Sequence, residues 1–112
     1  MSIKSPECWA SDPNAHGLRI DLAPDHSLML PYNLFLQSEL ISDGKSQELR
    51  FVFASYEVLI RGHCLRRLDL AMQRQELSSI VRSAGNSRNT EAGQPIIFEI
   101  TVTEIKPERE IR

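Results

Sequence analysis

Residues 47–82 contain the change of hydrophobic period that most constrains the fold of this chain. Large apolar residues alternate with more polar ones in residues 49–53 and again in 56–60. This alternation is typical of strands with one buried face. Ala54 and Ser55 lie between the two runs, and they predict either a tight hairpin or one long strand bent at this pair.

The hydrophobic period changes near Leu65. Leu65, Leu68 and Met72 recur at spacings of three and four, which is the apolar stripe of an amphipathic helix. We expect this helix to end at about residue 75 or 76. Residues 76–82 fit either an extension of the helix or a short strand with Leu77 inward, and we favour the strand.

Strands are predicted on both sides of this unit. Apolar alternation marks four of them, at residues 18–22, 26–30, 32–41 and 96–103. In residues 32–41 the leucines at positions 34, 36 and 40 are expected to share the buried face. Asp43 and Gly44 form the best hairpin signal of the chain and predict that residues 32–41 pair antiparallel with residues 49–53. Residues 96–103 have the cleanest alternation and predict a central strand.

These patterns together predict an α+β fold. We expect a mainly antiparallel curved sheet or open barrel of about six to seven short strands, with one amphipathic helix packed on it. The 112 residues correspond to one domain. We assign residues 17–106 to that globular domain, residues 1–16 to a flexible N-terminal arm and residues 107–112 to a frayed C-terminal tail. Trp9 is expected to dock the arm on the core rather than to be an exposed binding residue.

Composition limits the class of protein. The hydrophobic fraction of 41% and the charged fraction of 25% are those of an ordinary soluble domain. No apolar run approaches the ~18 residues of a spanning helix, and the first residues lack the apolar core of a signal peptide. We therefore expect a cytoplasmic protein without membrane contact, in which Cys8 and Cys64 remain thiols.

The basic residues are concentrated in one part of an otherwise acidic chain. The formal net charge is −2, but residues 58–88 hold six arginines against two acidic residues, a local balance of +4. The guanidinium group is a planar fork that binds carboxylates or phosphates. The predicted partner-binding surface consists of the arginines on the helix and near its ends: Arg61, Arg66, Arg67, Arg74 and Arg82.

A protein partner fits this surface better than nucleic acid. The net charge is negative, aromatic residues are few and no nucleic-acid-binding motif is present. The plain alternative is a solvated helix face that balances the acidic sheet of the same molecule. In that sheet, Arg50 and Arg61 are expected to be cross-strand partners of Glu57 and Glu99.

His63 and Cys64 are adjacent at the predicted junction of strand and helix. A thiol next to an imidazole at a helix N-terminus can act as a nucleophile. Neighbours in sequence rarely direct their side chains at each other, however, and no third orienting group is evident. We favour a structural cysteine beside a surface histidine, and we assign Gly62 to the turn into the helix.

No motif in the sequence holds a metal or a cofactor. The three histidines lack metal-ligand spacing, and no phosphate-binding or nucleophile motif is present. We therefore predict no catalytic residue, no metal ligand and no cofactor. The sequence leaves the question of enzymatic activity open, and we favour a protein that is not an enzyme.

Two functions remain as hypotheses. The favoured one is a non-catalytic protein-interaction or regulatory module that uses the basic helix face, a sheet edge such as residues 96–103, or both, with a homodimer as one form. The alternative is a small ligand-binding domain or enzyme with a pocket between helix and sheet. The candidate pocket residues are Tyr56, His63 and Cys64, with Arg61 and Arg67 nearby.

Overall fold

The computed structural model describes residues 8–83 and 93–105. Within these residues the chain forms eight strands, a short 3₁₀ helix and one α-helix. In chain order they are β1 (Trp9–Ser11), β2 (Gly17–Ala23), β3 (His26–Pro31), the 3₁₀ helix (Tyr32–Leu34), β4 (Phe35–Ser42), β5 (Gln47–Phe53), β6 (Tyr56–His63), α1 (Arg66–Gln73), β7 (Leu77–Val81) and β8 (Ile96–Glu104).

The strands form two four-stranded sheets. Sheet A has the order β1-β7-β2-β3 and sheet B has the order β4-β5-β6-β8. Neighbouring strands are antiparallel except β2 and β7, which are parallel. The α+β class is confirmed, but the prediction of one curved sheet or open barrel with six to seven strands is corrected to eight strands in two sheets. The periodicity of a strand reports its buried face and not its neighbours, so it could not separate the two sheets.

Both predicted hairpins are present in sheet B. β4 pairs with β5 around the Asp43–Gly44 turn, and β5 pairs with β6 around Ala54 and Ser55. The Asp43 carboxylate accepts hydrogen bonds from the backbone N–H groups two and three residues further on, at 3.1 and 3.0 Å. These bonds close the turn and lower the pKa of Asp43.

The strand predicted over residues 32–41 begins three residues late. Its first three residues form the 3₁₀ helix, and the register of β4 against β5 shifts between Phe35 and Gln37. The shift changes which side chains face the core. Leu34 and Leu36, which the alternation places inward, are 40% and 65% exposed.

Tyr32 is the buried residue of this segment and connects the two sheets. Its ring lies 6.5 Å from the ring of Phe53 in sheet B. Its hydroxyl donates a hydrogen bond to the backbone carbonyl of Leu77 in sheet A. Because the phenolate would be poorly solvated there, burial raises the pKa of Tyr32.

The core lies between the two sheets and under the helix. The predicted stripe of α1 is confirmed, because Leu65, Leu68 and Met72 are fully buried. Sheet residues fill the rest of the core: Leu18, Ile20, Leu30, Leu49, Phe51, Phe53, Val58, Ile60, Leu77, Ile80 and Ile97. α1 has eight residues, and no helix in the described part of the chain is long and apolar enough to span a bilayer.

Strand β8 lies at the edge of sheet B. It pairs with β6, and no described strand lies on its other side. The prediction that residues 96–103 form a central strand is therefore wrong. The clean alternation of these residues shows that one face of the strand is buried. Edge strands and central strands can both have one buried face, so alternation does not distinguish them.

Part of the predicted N-terminal arm belongs to sheet A. Trp9–Ser11 forms β1 and pairs with β7, and the Trp9 side chain is half-buried against the core. Short range patterns did not reveal this strand because it has only three residues. The tail predicted at residues 107–112 lies outside the described residues.

Candidate functional site: a basic groove beside helix α1

The two ends of α1 are fixed by backbone contacts. At the start, the Leu65 N–H donates to the side-chain oxygen of Gln47 in β5 at 2.7 Å. At the end, Gln75 has a positive φ of 57°. The N–H groups of Gln75 and Glu76 donate to carbonyls of the last turn at 2.8 and 2.9 Å, which is the Schellman arrangement. The helix therefore stops before β7 without a glycine.

A buried carboxylate fixes the rotation of α1. Asp69 lies on the inner face of the helix and is 9% exposed. Its oxygens accept hydrogen bonds from the Ser38 hydroxyl of β4 at 2.8 Å and from Gln73 at 3.4 Å. The apolar contacts of α1 are not directional, whereas this bond is. It therefore helps to hold Arg66, Arg67 and the other outer residues toward solvent.

A shallow groove lies between α1 and the edge strand β1. We call it the α1–β1 groove; it is open to solvent and has a volume of about 310 Å³. Both apolar and charged side chains line it. The lining residues are Trp9, Ser11, Arg67, Leu70, Ala71, Arg74 and Glu76.

Arg67 of α1 and Arg74, which caps the C-terminal end of the helix, lie on the same side of it with an apolar residue between them. They are seven residues apart, which corresponds to two helical turns or about 10 Å along the axis. Leu70 lies between them and is 45% exposed. The groove therefore presents two guanidinium groups around an apolar centre.

The arginines of α1 differ from those of the sheets in their pairing. In the sheets, Arg50 contacts two carboxylates at 2.8 and 3.0 Å, and Arg61 contacts two at 3.7 and 3.8 Å. No carboxylate among the described residues lies within 4.0 Å of Arg66, Arg67 or Arg74. The described part of the molecule thus leaves the positive charge of the helix face unpaired.

The other two predicted partner-binding residues lie elsewhere. Arg61 is on the outer face of sheet B, between Glu48 and Glu99. Arg82 follows the end of β7 that is remote from α1, about 17 Å of extended chain away from Leu77. The structure therefore brings together the three helix arginines and separates Arg61 and Arg82 from them.

The candidate pocket residues are also separated. Tyr56 begins β6 and His63 ends it, so about 23 Å of strand lies between them. The His63 ring packs edge-on against Phe98, with centroids 4.8 Å apart. Cys64 is exposed beside it, with a positive φ of 58°. The space between helix and sheet is filled by the fully buried side chains of α1 and of Leu65, which argues against a pocket there.

The outer face of sheet B carries ladders of charge. Arg50 bridges Glu39 of β4 and Glu57 of β6, and these two pairs raise the pKa of Arg50. The expectation that Arg50 and Arg61 are cross-strand partners of Glu57 and Glu99 is confirmed: Arg50 pairs with Glu57, and Arg61 pairs with Glu99. A shallow depression of about 390 Å³ lies over the first ladder. Because the guanidinium of Arg50 is already paired with two carboxylates, this face offers less to a charged partner than the α1–β1 groove does.

Sequence reasoning found the arginines of the groove but not its apolar residues. Trp9 comes from β1, which is brought to α1 only by pairing with β7. Leu70 did have a local signal, since it is a leucine outside the apolar stripe of its own helix and among arginines. In residues 8–83 and 93–105, no three His, Cys, Asp or Glu side chains converge to hold a metal ion.

Comparison with known proteins gives no relative of this chain. It matches no protein-family model, and neither a curated protein nor a solved structure is significantly similar to it. Functional conclusions therefore depend on the geometry of the groove and of the sheet edges.

Proposed function

We propose that this chain is a non-catalytic protein-interaction module whose α1–β1 groove binds an acidic segment of a partner protein. The observation that carries the proposal is the exposed Leu70 between Arg67 and Arg74, neither of which has a described carboxylate within 4.0 Å. An arginine that is paired within its own molecule must lose that pair to bind a partner. An unpaired one does not.

The spacing of the groove indicates the pattern of a suitable segment. Two carboxylates about 10 Å apart on one face of a segment can each meet one guanidinium group, and seven residues of a helix give this separation. A large apolar side chain between them would cover Leu70 and contact Trp9. Interfaces of this kind, with an apolar centre and charged rim, gain most of their affinity from the centre and much of their specificity from the charges.

The alternative functions have less support. A ligand-binding domain or enzyme with a pocket between helix and sheet needs space where Leu65, Leu68 and Met72 are fully buried. A nucleic-acid partner would need a wide positive surface, whereas the basic surface that the described residues form at α1 consists of Arg66, Arg67 and Arg74. On sheet B, Arg50 and Arg61 are each paired with two carboxylates, so they add little free positive charge to this surface.

The proposal is tested by selecting ligands from a random peptide library displayed on phage. We expect the selected peptides to share two acidic residues around a large apolar one. Binding of such a synthetic peptide, measured by fluorescence anisotropy, should weaken at least about tenfold in Arg74→Glu, because one attraction becomes a repulsion. Leu70→Ser should weaken it as well.

Arg82→Glu is the matched control for the charge reversal. Arg82 is also exposed and also lacks a described carboxylate partner, but it lies outside the groove. We expect Arg82→Glu to leave peptide affinity within about twofold of the unmodified protein. Equal weakening by both variants would show a general charge effect and contradict the proposal. Selected peptides without acidic residues, or tighter binding of duplex DNA that depends on Arg74, would contradict it as well.

A further inference from the structure

Strand β8 has the longest edge in the described part of the fold. It has nine residues and contains no proline. The other three edge strands are β1, β3 and β4. β1 has three residues, β3 ends in Pro31, and β4 carries a register shift between Phe35 and Gln37. β8 also carries a register shift, between Ile97 and Glu99, but the residues after it run without interruption to the end of the strand, and such an unpaired edge is a template for another strand.

The first part of the β8 edge is already covered within the chain. The Ser83 N–H donates to the Ile97 carbonyl at 2.8 Å, and the Ile97 N–H donates to the Ser83 hydroxyl at 2.8 Å. Ile97 therefore directs its backbone groups away from β6. The edge that remains without a described partner begins after this residue.

The backbone direction of the remaining residues follows from the far end of β8. The Ile105 N–H donates to the Ser55 carbonyl, so Ile105 faces β6. Alternation in an antiparallel pair then directs the backbone groups of Ile100, Val102 and Glu104 outward. This assignment agrees with the outward direction at residue 97 because the β6–β8 register shifts by one residue in between.

We propose that β8 pairs antiparallel with β8 of a second copy of this chain, across a twofold axis at Thr101. In this register Ile100 faces Val102 of the second copy, and both side chains are half-buried in the single chain. Thr101 faces its own equivalent, and Glu99 faces Thr103 of the second copy. No like charges are opposed, and pairs of these types stabilise antiparallel strands.

Neighbouring registers fit less well. A twofold axis at Val102 places Ile100 opposite Glu104 of the second copy, which sets an apolar side chain against a carboxylate. A twofold axis at Ile100 extends the pairing into the register shift and toward the segment that Ser83 covers. The complementary pairs occur together only with the axis at Thr101.

The dimer would join two copies of sheet B into one continuous eight-stranded sheet. The α1–β1 groove lies at β1 and α1, whereas the twofold axis passes through β8 on the other sheet. Pairing through β8 therefore does not use the groove residues, and the inference is independent of the proposed function. A dimer with two open grooves would bind a divalent partner with increased avidity.

Lysine substitutions at two positions of β8, with opposite expected effects on the dimer, test the register. Thr101 and Thr103 are both exposed on the outer face of β8. Thr101→Lys places two ammonium groups opposite each other at the axis and should raise the dimer dissociation constant about fivefold or more. Thr103→Lys places each ammonium opposite Glu99 of the other copy and should lower the constant. Sedimentation equilibrium from micromolar to millimolar protein measures both.

Disulfide formation tests the same register by distance. In the proposed dimer, Thr101 and its equivalent form a non-hydrogen-bonded pair with Cα atoms about 4.5 Å apart, which a disulfide can bridge. Thr101→Cys in a Cys64→Ser background should therefore give a covalent dimer on mild oxidation. Thr103→Cys is the matched control, since its equivalent is four residues out of register, about 13 Å away.

Three results would overturn the inference. The first is a protein that stays monomeric over the whole concentration range. The second is a dimer whose dissociation constant responds equally to Thr101→Lys and Thr103→Lys. The third is a Thr103→Cys variant that crosslinks as fast as Thr101→Cys. Unchanged thermal unfolding of each variant, followed by circular dichroism, ensures that these readings concern folded protein.

Discussion

Replacing Gly62 by alanine should strongly destabilise this fold. Gly62 lies in β6 opposite Ile97, at the shift in the β6–β8 register. A Cβ atom at this position would lie 1.9 Å from the carbonyl oxygen of Ile96 and 2.9 Å from its carbonyl carbon. Both atoms belong to the backbone of β8, so no rotation of a side chain relieves the overlap.

The size of the effect follows from the displacement that alanine requires. A close C···O contact is about 3.3 Å, so the ends of β6 and β8 must separate by roughly 1.4 Å. Ile97, beside the contact, is fully buried and would lose part of its packing. Overpacking costs about 1–3 kcal/mol, and full burial of an isoleucine contributes a similar amount. We expect the free energy of unfolding to fall by about 3–5 kcal/mol.

Urea denaturation followed by circular dichroism measures this change. Gly44→Ala is the matched control because it makes the same substitution in open space: no atom lies within 4 Å of the added Cβ, and only the positive φ of 93° opposes it. That strain costs about 1–2 kcal/mol. A free energy of unfolding for Gly62→Ala within about 1 kcal/mol of the unmodified protein, or above that of Gly44→Ala, would refute the steric argument.

Three further predictions concern polar contacts. Tyr32→Phe leaves the Leu77 carbonyl without its donor and should lower the free energy of unfolding in urea by about 1–3 kcal/mol. Because burial raises the pKa of Tyr32, the stabilisation that Tyr32 contributes should be complete below about pH 10 and should decrease above it. Above that pH the free energy of unfolding should therefore fall more steeply in the unmodified protein than in Tyr32→Phe. Asp69→Ala removes the acceptor of Ser38 and should speed amide exchange throughout α1, whereas Asp69→Asn, which keeps an acceptor oxygen, should speed it less. Arg50→Met should lower stability slightly at low salt and not at high salt; a loss that persists at high salt would show a role beyond its two exposed ion pairs.

Local patterns predicted much of sheet B and of the helix. The stripe of Leu65, Leu68 and Met72 identified the buried face of α1, and the Asp43–Gly44 turn identified the partner of β4. Each of these signals lies within about ten residues of sequence, where side-chain spacing and turn chemistry determine the outcome. Prediction succeeded where the structure depends on such short segments.

Contacts between distant segments could not be predicted in this way. The division into two sheets depends on β7 returning to lie between β1 and β2, and no spacing within β7 encodes its neighbours. Gly62 was assigned to the turn into the helix, but its actual constraint is the carbonyl of Ile96, 34 positions along the chain. A glycine required by close approach looks the same in sequence as one required by a turn.

The same distinction applies to the candidate site. The three arginines of α1 were visible because charge and helical period are local properties. The contribution of Trp9 was not, since it reaches the groove through the β1–β7 pairing. Residue 70 could have been found, because a leucine outside its own apolar stripe is a local signal of an exposed apolar surface.

The contrast between paired and unpaired arginines has a structural cause. On sheet B, antiparallel register places Glu48 opposite Arg61, and the neighbouring strand places Glu99 opposite the same residue, so the strands supply a carboxylate on each side. On α1, side chains meet at spacings of three and four. For Arg67 and Arg74 these positions hold Leu70 and Ala71.

The acidic residue of α1 does not change this outcome. Asp69 is three positions from Arg66, close enough for an ion pair on an exposed helix face. It instead lies on the inner face, where its carboxylate accepts the hydrogen bond of Ser38. Ser38 thus holds the helix carboxylate away from the arginines, and the bond that fixes α1 on β4 also leaves its outer face positively charged.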